Sequence, residues 1–156
     1  PLEDLSLQQK LKDAGADTIG IHIEVLDEAL REKITPGKYK IPLSLFRTNW
    51  KNAVEVFGRN QVESFILTGF GKDYNKFIES LESVISIGVI PFITPVRSIP
   101  GQAPLPQTDY KRLLKIYYKV AELMKAYNLN PLENMAGWVG CGGCSAINEA
   151  YEAIQN

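Results

Sequence analysis

Thiols and imidazoles are scarce in this chain: it has two cysteines and one histidine in 156 residues. Two thiols, at 141 and 144, cannot build the disulfide framework of a small secreted domain, and they point to a reducing, cytoplasmic setting. Basic charge is not in excess either. The formal net charge is −1 with no basic run, which removes the electrostatic footprint of a nucleic-acid-binding protein. No apolar run approaches the roughly 18 residues a membrane helix needs, and no secretory leader opens the sequence. The Gly-Lys-Ser/Thr signature of a phosphate loop is missing. Methionine is absent from the first position, which is Pro1, so a processed or partial chain is expected.

What is present suits one globular domain: 45% of residues are hydrophobic and 22% charged. The length falls short of the roughly 250 residues of a complete eight-unit β/α barrel. Leu5, Leu7, Leu11 and Ala14 form a loose helical stripe over 5–14, and Gly15 stops it. Ile19, Ile21, Ile23 and Val25 alternate with Gly20, His22 and Glu24, which reads as a strand over 19–25. A short helix over 27–33 and a Pro36-Gly37 turn follow. Ser44 caps a helix over 45–57 whose buried face is Phe46, Trp50, Ala53, Val54 and Phe57.

A second strand is expected over 61–68. The helix over 74–87 after it buries Phe77, Ile78, Leu81, Val84 and Ile85, and Gly88 closes it. A third strand over 89–96 carries Pro91 and Pro95. A loop rich in Pro and Gly spans 98–107. The long helix over 110–127 is expected to turn Leu113, Leu114, Tyr117, Val120, Ala121 and Met124 inward. A cysteine turn and a last helix over 145–154 end the chain. Strands alternating with helices of this length predict parallel β/α construction with right-handed crossovers.

Four segments resemble, in order, parts of radical S-adenosylmethionine (radical SAM) enzymes of the biotin-synthase-like group. Gly20-Ile-His-Ile-Glu24 resembles the fourth barrel strand, and Leu67-Thr-Gly-Phe-Gly71 the glycine-bearing end of the fifth. Ile90-Pro-Phe-Ile-Thr-Pro-Val-Arg97 resembles the sixth strand and its substrate-side loop. Ala136-Gly-Trp-Val-Gly-Cys-Gly-Gly-Cys-Ser145 resembles the cysteine-rich tail of an uncharacterised subgroup. The resemblance implies an α/β fold: the C-terminal three β/α units of a partial TIM-like barrel over 1–130, with a helical tail over 131–156. It also implies S-adenosylmethionine and a [4Fe–4S] cluster in the complete enzyme. The Cys-x3-Cys-x2-Cys loop that holds that cluster is absent, so this chain alone is expected to be inactive.

On that reading Glu24 meets the ribose or methionine part of the cofactor, a carboxylate being suited to vicinal hydroxyls or an ammonium group. Its structural alternative is a cap or first-turn acid of the helix that follows. His22 shares its strand face with Gly20 and Glu24, hence the barrel interior, either as a catalytic or substrate-contacting group or as a hydrogen-bonded core residue. Gly69 and Gly71 admit the cofactor or merely make a tight turn. The resembled strand end carries a glutamate just past its glycines, where this chain has Lys72 and Asp73. Arg97 can fork onto the methionyl carboxylate or an acidic substrate, or form a surface ion pair. Lys38 could do the same work.

Cys141 and Cys144 could hold a metal with a partner's help or remain two reduced thiols; the resembled tail has another cysteine where Trp138 stands. The expected partners are the missing N-terminal half of the barrel or a second copy, plus a small-molecule substrate. Two further readings compete: a non-enzymatic binding or assembly module, and a non-radical β/α-barrel enzyme using Glu24 and His22 as acid and base.

Overall fold

The computed structural model describes residues 1–98, 100–101, 105–106 and 108–155. The loop expected over 98–107 therefore lies partly outside the described residues. Three parallel strands form one sheet in the order β1 (Ile19–Gly20), β2 (Val62–Thr68), β3 (Ile90–Pro95). Before β1 comes α1 (Ser6–Asp13). Between β1 and β2 lie α2 (Glu28–Ile34), α3 (Pro36–Tyr39) and α4 (Leu43–Phe57). α5 (Tyr74–Ile85) joins β2 to β3, and α6 (Tyr110–Ala126) follows β3. The tail has a 3-10 turn (Pro131–Glu133), α7 (Gly137–Cys141) and α8 (Ile147–Ala153). The result is an open parallel β/α sheet; no barrel closes among the described residues.

α4, α5 and α6 form where the apolar spacing puts them, because each buries the face that spacing creates. α1 does not bury the stripe expected over 5–14: Leu7 and Leu11 are exposed, and Gln8 is its buried residue, bonded to Asn49 of α4. Phe46, Trp50, Ala53 and Phe57 of α4, and Ile78, Leu81, Val84 and Ile85 of α5, join β2 and β3 in one core. Several expectations need correction. α4 starts at Leu43 after Pro42, with no side-chain cap, so Ser44 is not its cap. Pro36-Gly37 opens the short helix α3 rather than a simple turn, proline being favoured at a first helical position. Leu114 of α6 is 53% exposed and faces outward; Ile116 and Leu123 are buried instead. The cysteine turn is in part helical, since α7 runs into Cys141 before Gly142 turns left-handed at φ 67°.

β3 is built as an outer edge. Val96 N–H donates to Thr68 O at 2.9 Å, so by alternation Pro91, Ile93 and Pro95 turn their backbone outward. Two prolines thus fall where no ladder N–H is lost. The outward carbonyl of Ile93 accepts the Tyr117 hydroxyl at 3.0 Å and the Ser145 hydroxyl at 2.6 Å, so α6 and the tail together seal this edge.

The tail also covers part of the sheet's other face. Glu63 of β2, only 3% exposed, accepts the Trp138 N–H at 3.2 Å and the Val139 N–H at 3.0 Å. Gly137 sits at φ 79°, and a Cβ there would stand 2.9 Å from Glu63 Oε1, so only glycine lets α7 approach this closely. Trp138 then stands edge-on to Phe65, ring centroids 5.5 Å apart.

The sealed carbonyl generates a double-mutant test. Tyr117→Phe or Ser145→Ala alone leaves Ile93 O one hydroxyl and should cost about 0.5–1.5 kcal/mol in urea unfolding. Together they orphan a buried carbonyl, so the double variant should lose more than the sum, by up to about 1–3 kcal/mol. Strictly additive losses would show that the two hydroxyls do not share this acceptor.

Candidate functional site

The segment after Gly20 does not continue the ladder expected over 19–25. Ile19 pairs with Val62 and Gly20 with Glu63, but Glu24 then bridges to Ile66. Four residues on one side oppose three on the other, a bulge of one residue. Every backbone group it displaces finds a new partner. Phe65 N–H donates to His22 Nδ1 at 3.0 Å, and Trp50 Nε1–H donates to the Ile21 carbonyl at 3.0 Å. Ile23 N–H donates to Ser64 Oγ at 3.2 Å, and Lys38 Nζ to the His22 carbonyl at 2.8 Å. Pairing resumes with Glu24 N–H to Phe65 O and Leu67 N–H to Glu24 O.

Glu24 therefore sits at the carboxyl end of β1 with φ 67°, a left-handed conformation that costs a non-glycine residue on the order of 1 kcal/mol. Its side chain does not cap α2; Asp27 does, accepting from Leu30 N–H at 3.1 Å. Instead the Glu24 carboxylate pairs with Lys38 Nζ at 2.7 Å. Lys38 is delivered by α3. The corner beneath is held by Arg31, 1% exposed, which donates to Ile41 O at 3.0 Å and lies within 5.9 Å of the Tyr39 and Phe46 ring centres.

A cleft of about 490 Å³ opens over the strands' carboxyl ends. Glu24 enters from the β1 side, Phe65, Leu67 and Phe70 from β2 and its turn, and Thr94, Pro95 and Arg97 from β3. Trp138 and Cys144 of the tail complete the wall. Glu24 and Arg97 thus line one cleft, and Cys144, read from the sequence as a thiol or metal ligand, lines it with them. Arg97 is exposed and, among the described residues, forms no ion pair or hydrogen bond. Thr94 Oγ1 is buried with no partner among the described residues.

The other candidates lie elsewhere. His22 lines a separate cleft of about 510 Å³ with Gly20, Lys38 and Asn49, along the outer side of β1. His22 and Glu24 are therefore not presented to one cleft as an acid–base pair. Gly69 is at φ 126°, and the space a Cβ would take holds Pro106 O at 2.9 Å; its close approach serves the chain's own loop. Gly71, at φ 77°, lines a third cleft between α2 and α5. Cys141 is exposed, and among the described residues no group of three or more His, Cys, Asp or Glu could hold a metal. Two residues escaped the sequence reading. Glu63 left a trace, a carboxylate inside an apolar strand. Arg31 left none, being one more charge in a polar helix.

The His22 ring has a defined chemical state. Because Nδ1 accepts a backbone N–H, the neutral ring carries its proton on Nε2. Burial, first among the causes, pushes the His22 pKa below its ordinary value of about 6.5. Lys38 acts in the same sense, and Glu63 and Glu24 oppose it. Between the lowered folded value and 6.5 the unfolded chain binds more protons. Stability should therefore be full above about pH 6.5 and fall as acid carries the protein down through that window. His22→Asn, which keeps an acceptor near Nδ1, should fold and flatten that part of the pH profile. His22→Leu should lose about 1–3 kcal/mol at pH 8 by orphaning the Phe65 amide. An unchanged pH profile in His22→Asn would contradict the assignment.

Among curated proteins the chain is similar to bacteriochlorophyllide c C-7(1)-hydroxylase of Chlorobaculum limnaeum, with 29% identity over 133 residues. The match takes in 81% of this chain and 32% of that protein, so the chain spans about a third of its relative's length. No family model matches the chain, and no solved structure matches it. No helix among the described residues is long and apolar enough to cross a membrane. The similarity is partial and distant.

Proposed function

We propose that this chain is the C-terminal flank of a radical SAM enzyme, the last three β/α units of a partial barrel plus a tail. One observation carries the reading: the ends of β2 and β3, and Glu24 past the bulge that follows β1, open onto a single cleft, where β/α folds place their ligands. Similarity to a C-7(1)-hydroxylase adds chemical sense, because replacing a C–H by a C–OH bond calls for hydrogen abstraction. S-adenosylmethionine, when bound in the complete enzyme, supplies the radical for that step.

This chain's own residues do the positioning. Glu24, fixed in direction by its left-handed backbone and by Lys38, offers a carboxylate oxygen to hydroxyl or ammonium donors. Arg97, unpaired among the described residues, offers its guanidinium to a carboxylate. Phe65, Leu67, Phe70 and Trp138 give the cleft an apolar wall. Two thiols do not fit a [4Fe–4S] cluster, which takes three or four, so its ligands belong to the remainder of the parent protein. That remainder would lie against β1. The two sheet edges differ in a way that favours this: β3 has prolines and two hydroxyls sealing it, whereas Gly20 of β1 is exposed beside an open cleft.

The test uses the full-length polypeptide, reconstituted with iron and sulfide without oxygen and then reduced. It should cleave S-adenosylmethionine to 5′-deoxyadenosine. Glu24→Gln should weaken S-adenosylmethionine binding by about tenfold or more, the loss of one charged hydrogen-bond partner being about 1.5–3 kcal/mol. No 5′-deoxyadenosine, or unchanged cofactor affinity in Glu24→Gln, would refute the proposal.

A further inference from the structure

The cleft over the strand ends has a lining that specifies more than a general ligand. Phe65, Phe70 and Trp138 bring three aromatic rings to its wall, with Leu67, Val96 and Leu105 between them. Trp138 leaves 48% and Leu105 37% of its surface in solvent. Large apolar groups gathered this way around a concave space of about 490 Å³ make a pocket of small-molecule size.

Charge narrows the choice. Of the two charged residues in the lining, Glu24 is neutralised by Lys38 at 2.7 Å. Arg97 is the uncommitted one among the described residues. An apolar pocket with one free guanidinium at its mouth complements a molecule with an apolar body and one anionic group. A guanidinium's fork of donors matches a carboxylate. Three aromatic rings in the wall favour a flat, conjugated body, which stacks on a ring or meets its edge, over a branched aliphatic one.

We infer that this cleft binds a flat, apolar substrate bearing a carboxylate, its rings against Phe65 and Trp138 and its carboxylate on Arg97. The inference deepens the proposed function by naming the substrate class of the same site. It assigns Arg97 to the substrate rather than to the cofactor's methionyl carboxylate. It does not require that the reaction be a radical one.

The experiment measures fluorescence anisotropy of two probes on the full-length protein: 1-pyrenebutyrate, a flat carboxylate, and 1-pyrenebutanol, its uncharged counterpart. The acid should bind more tightly than the alcohol. Arg97→Gln should weaken the acid by about tenfold, the size of one charge-assisted hydrogen bond, and leave the alcohol unchanged. Trp138→Ala should weaken both probes alike. Equal affinity for the two probes, an Arg97→Gln effect common to both, or no binding of either because protein fills the cleft would each overturn the inference. S-adenosylmethionine titrated into Arg97→Gln should bind as it does to the wild type; a parallel loss would give Arg97 back to the cofactor. Failure of S-adenosylmethionine cleavage leaves the probe result standing, so the two proposals fail separately.

Discussion

One extra residue between Gly20 and Glu24 is the constraint on which the rest of this structure depends. In a regular parallel pair the Phe65 amide would look for the Ile21 carbonyl. Here the imidazole of His22 takes that amide, and Ile21 O turns to the indole of Trp50. A buried amide or carbonyl left without a partner costs about 1–3 kcal/mol, so a bulge persists only where each displaced group is met. Ser64 and Lys38 complete the set. The consequence is directional. The slip rotates Glu24 into a left-handed conformation and aims its carboxylate at the strand ends, where Lys38 reaches it. Without the bulge, Glu24 would pair with Leu67 in place of Ile66, and its side chain would leave β1 in another direction.

The tail is the second organising contact, and it works through one buried carboxylate. Glu63 holds the first amides of α7, which sets Trp138 against Phe65 and carries Cys144 to the cleft wall. A single helix turn thereby covers apolar sheet surface, supplies an aromatic wall and, through Ser145, helps to seal the β3 edge. Arg97 and Trp138 are 41 residues apart in sequence, and the cleft exists only because this docking brings them together.

Much of the fold was legible. The spacing of Phe46, Trp50, Ala53 and Phe57, and of Ile78, Leu81 and Ile85, located α4 and α5 because burial rewards one face of a helix. β2 and β3 were readable as apolar runs, and the prolines of β3 took on meaning once its outer edge was known. β1 misled, because alternation from Ile19 to Val25 predicts a continuous strand, and nothing in residue type marks an inserted residue whose amide goes to a histidine ring. Leu114 misled because a leucine counted on periodicity alone can fall just past the buried arc. In the site, Glu24 and Arg97 stood out as candidates from their places after strands, whereas Cys144 was read as a thiol or metal ligand and its place in the cleft wall was not. The Lys38 pairing, the Glu63 cap and the buried Arg31 depend on contacts between distant segments, which local pattern does not encode.

The proposed function makes β1 an inner strand of a larger β/α barrel whose ligand site lies at the strand ends, with β3 its outer edge. Alternation turns the Gly20 amide toward the outer side of β1, away from β2. Amide hydrogen exchange compared between this chain and the full-length polypeptide reads that edge directly. Gly20 should exchange fast in the chain alone and become strongly protected in the full-length protein, while Ile93 at the sealed edge keeps the same protection in both. A Gly20 amide that stays equally unprotected in the full-length protein would contradict the account.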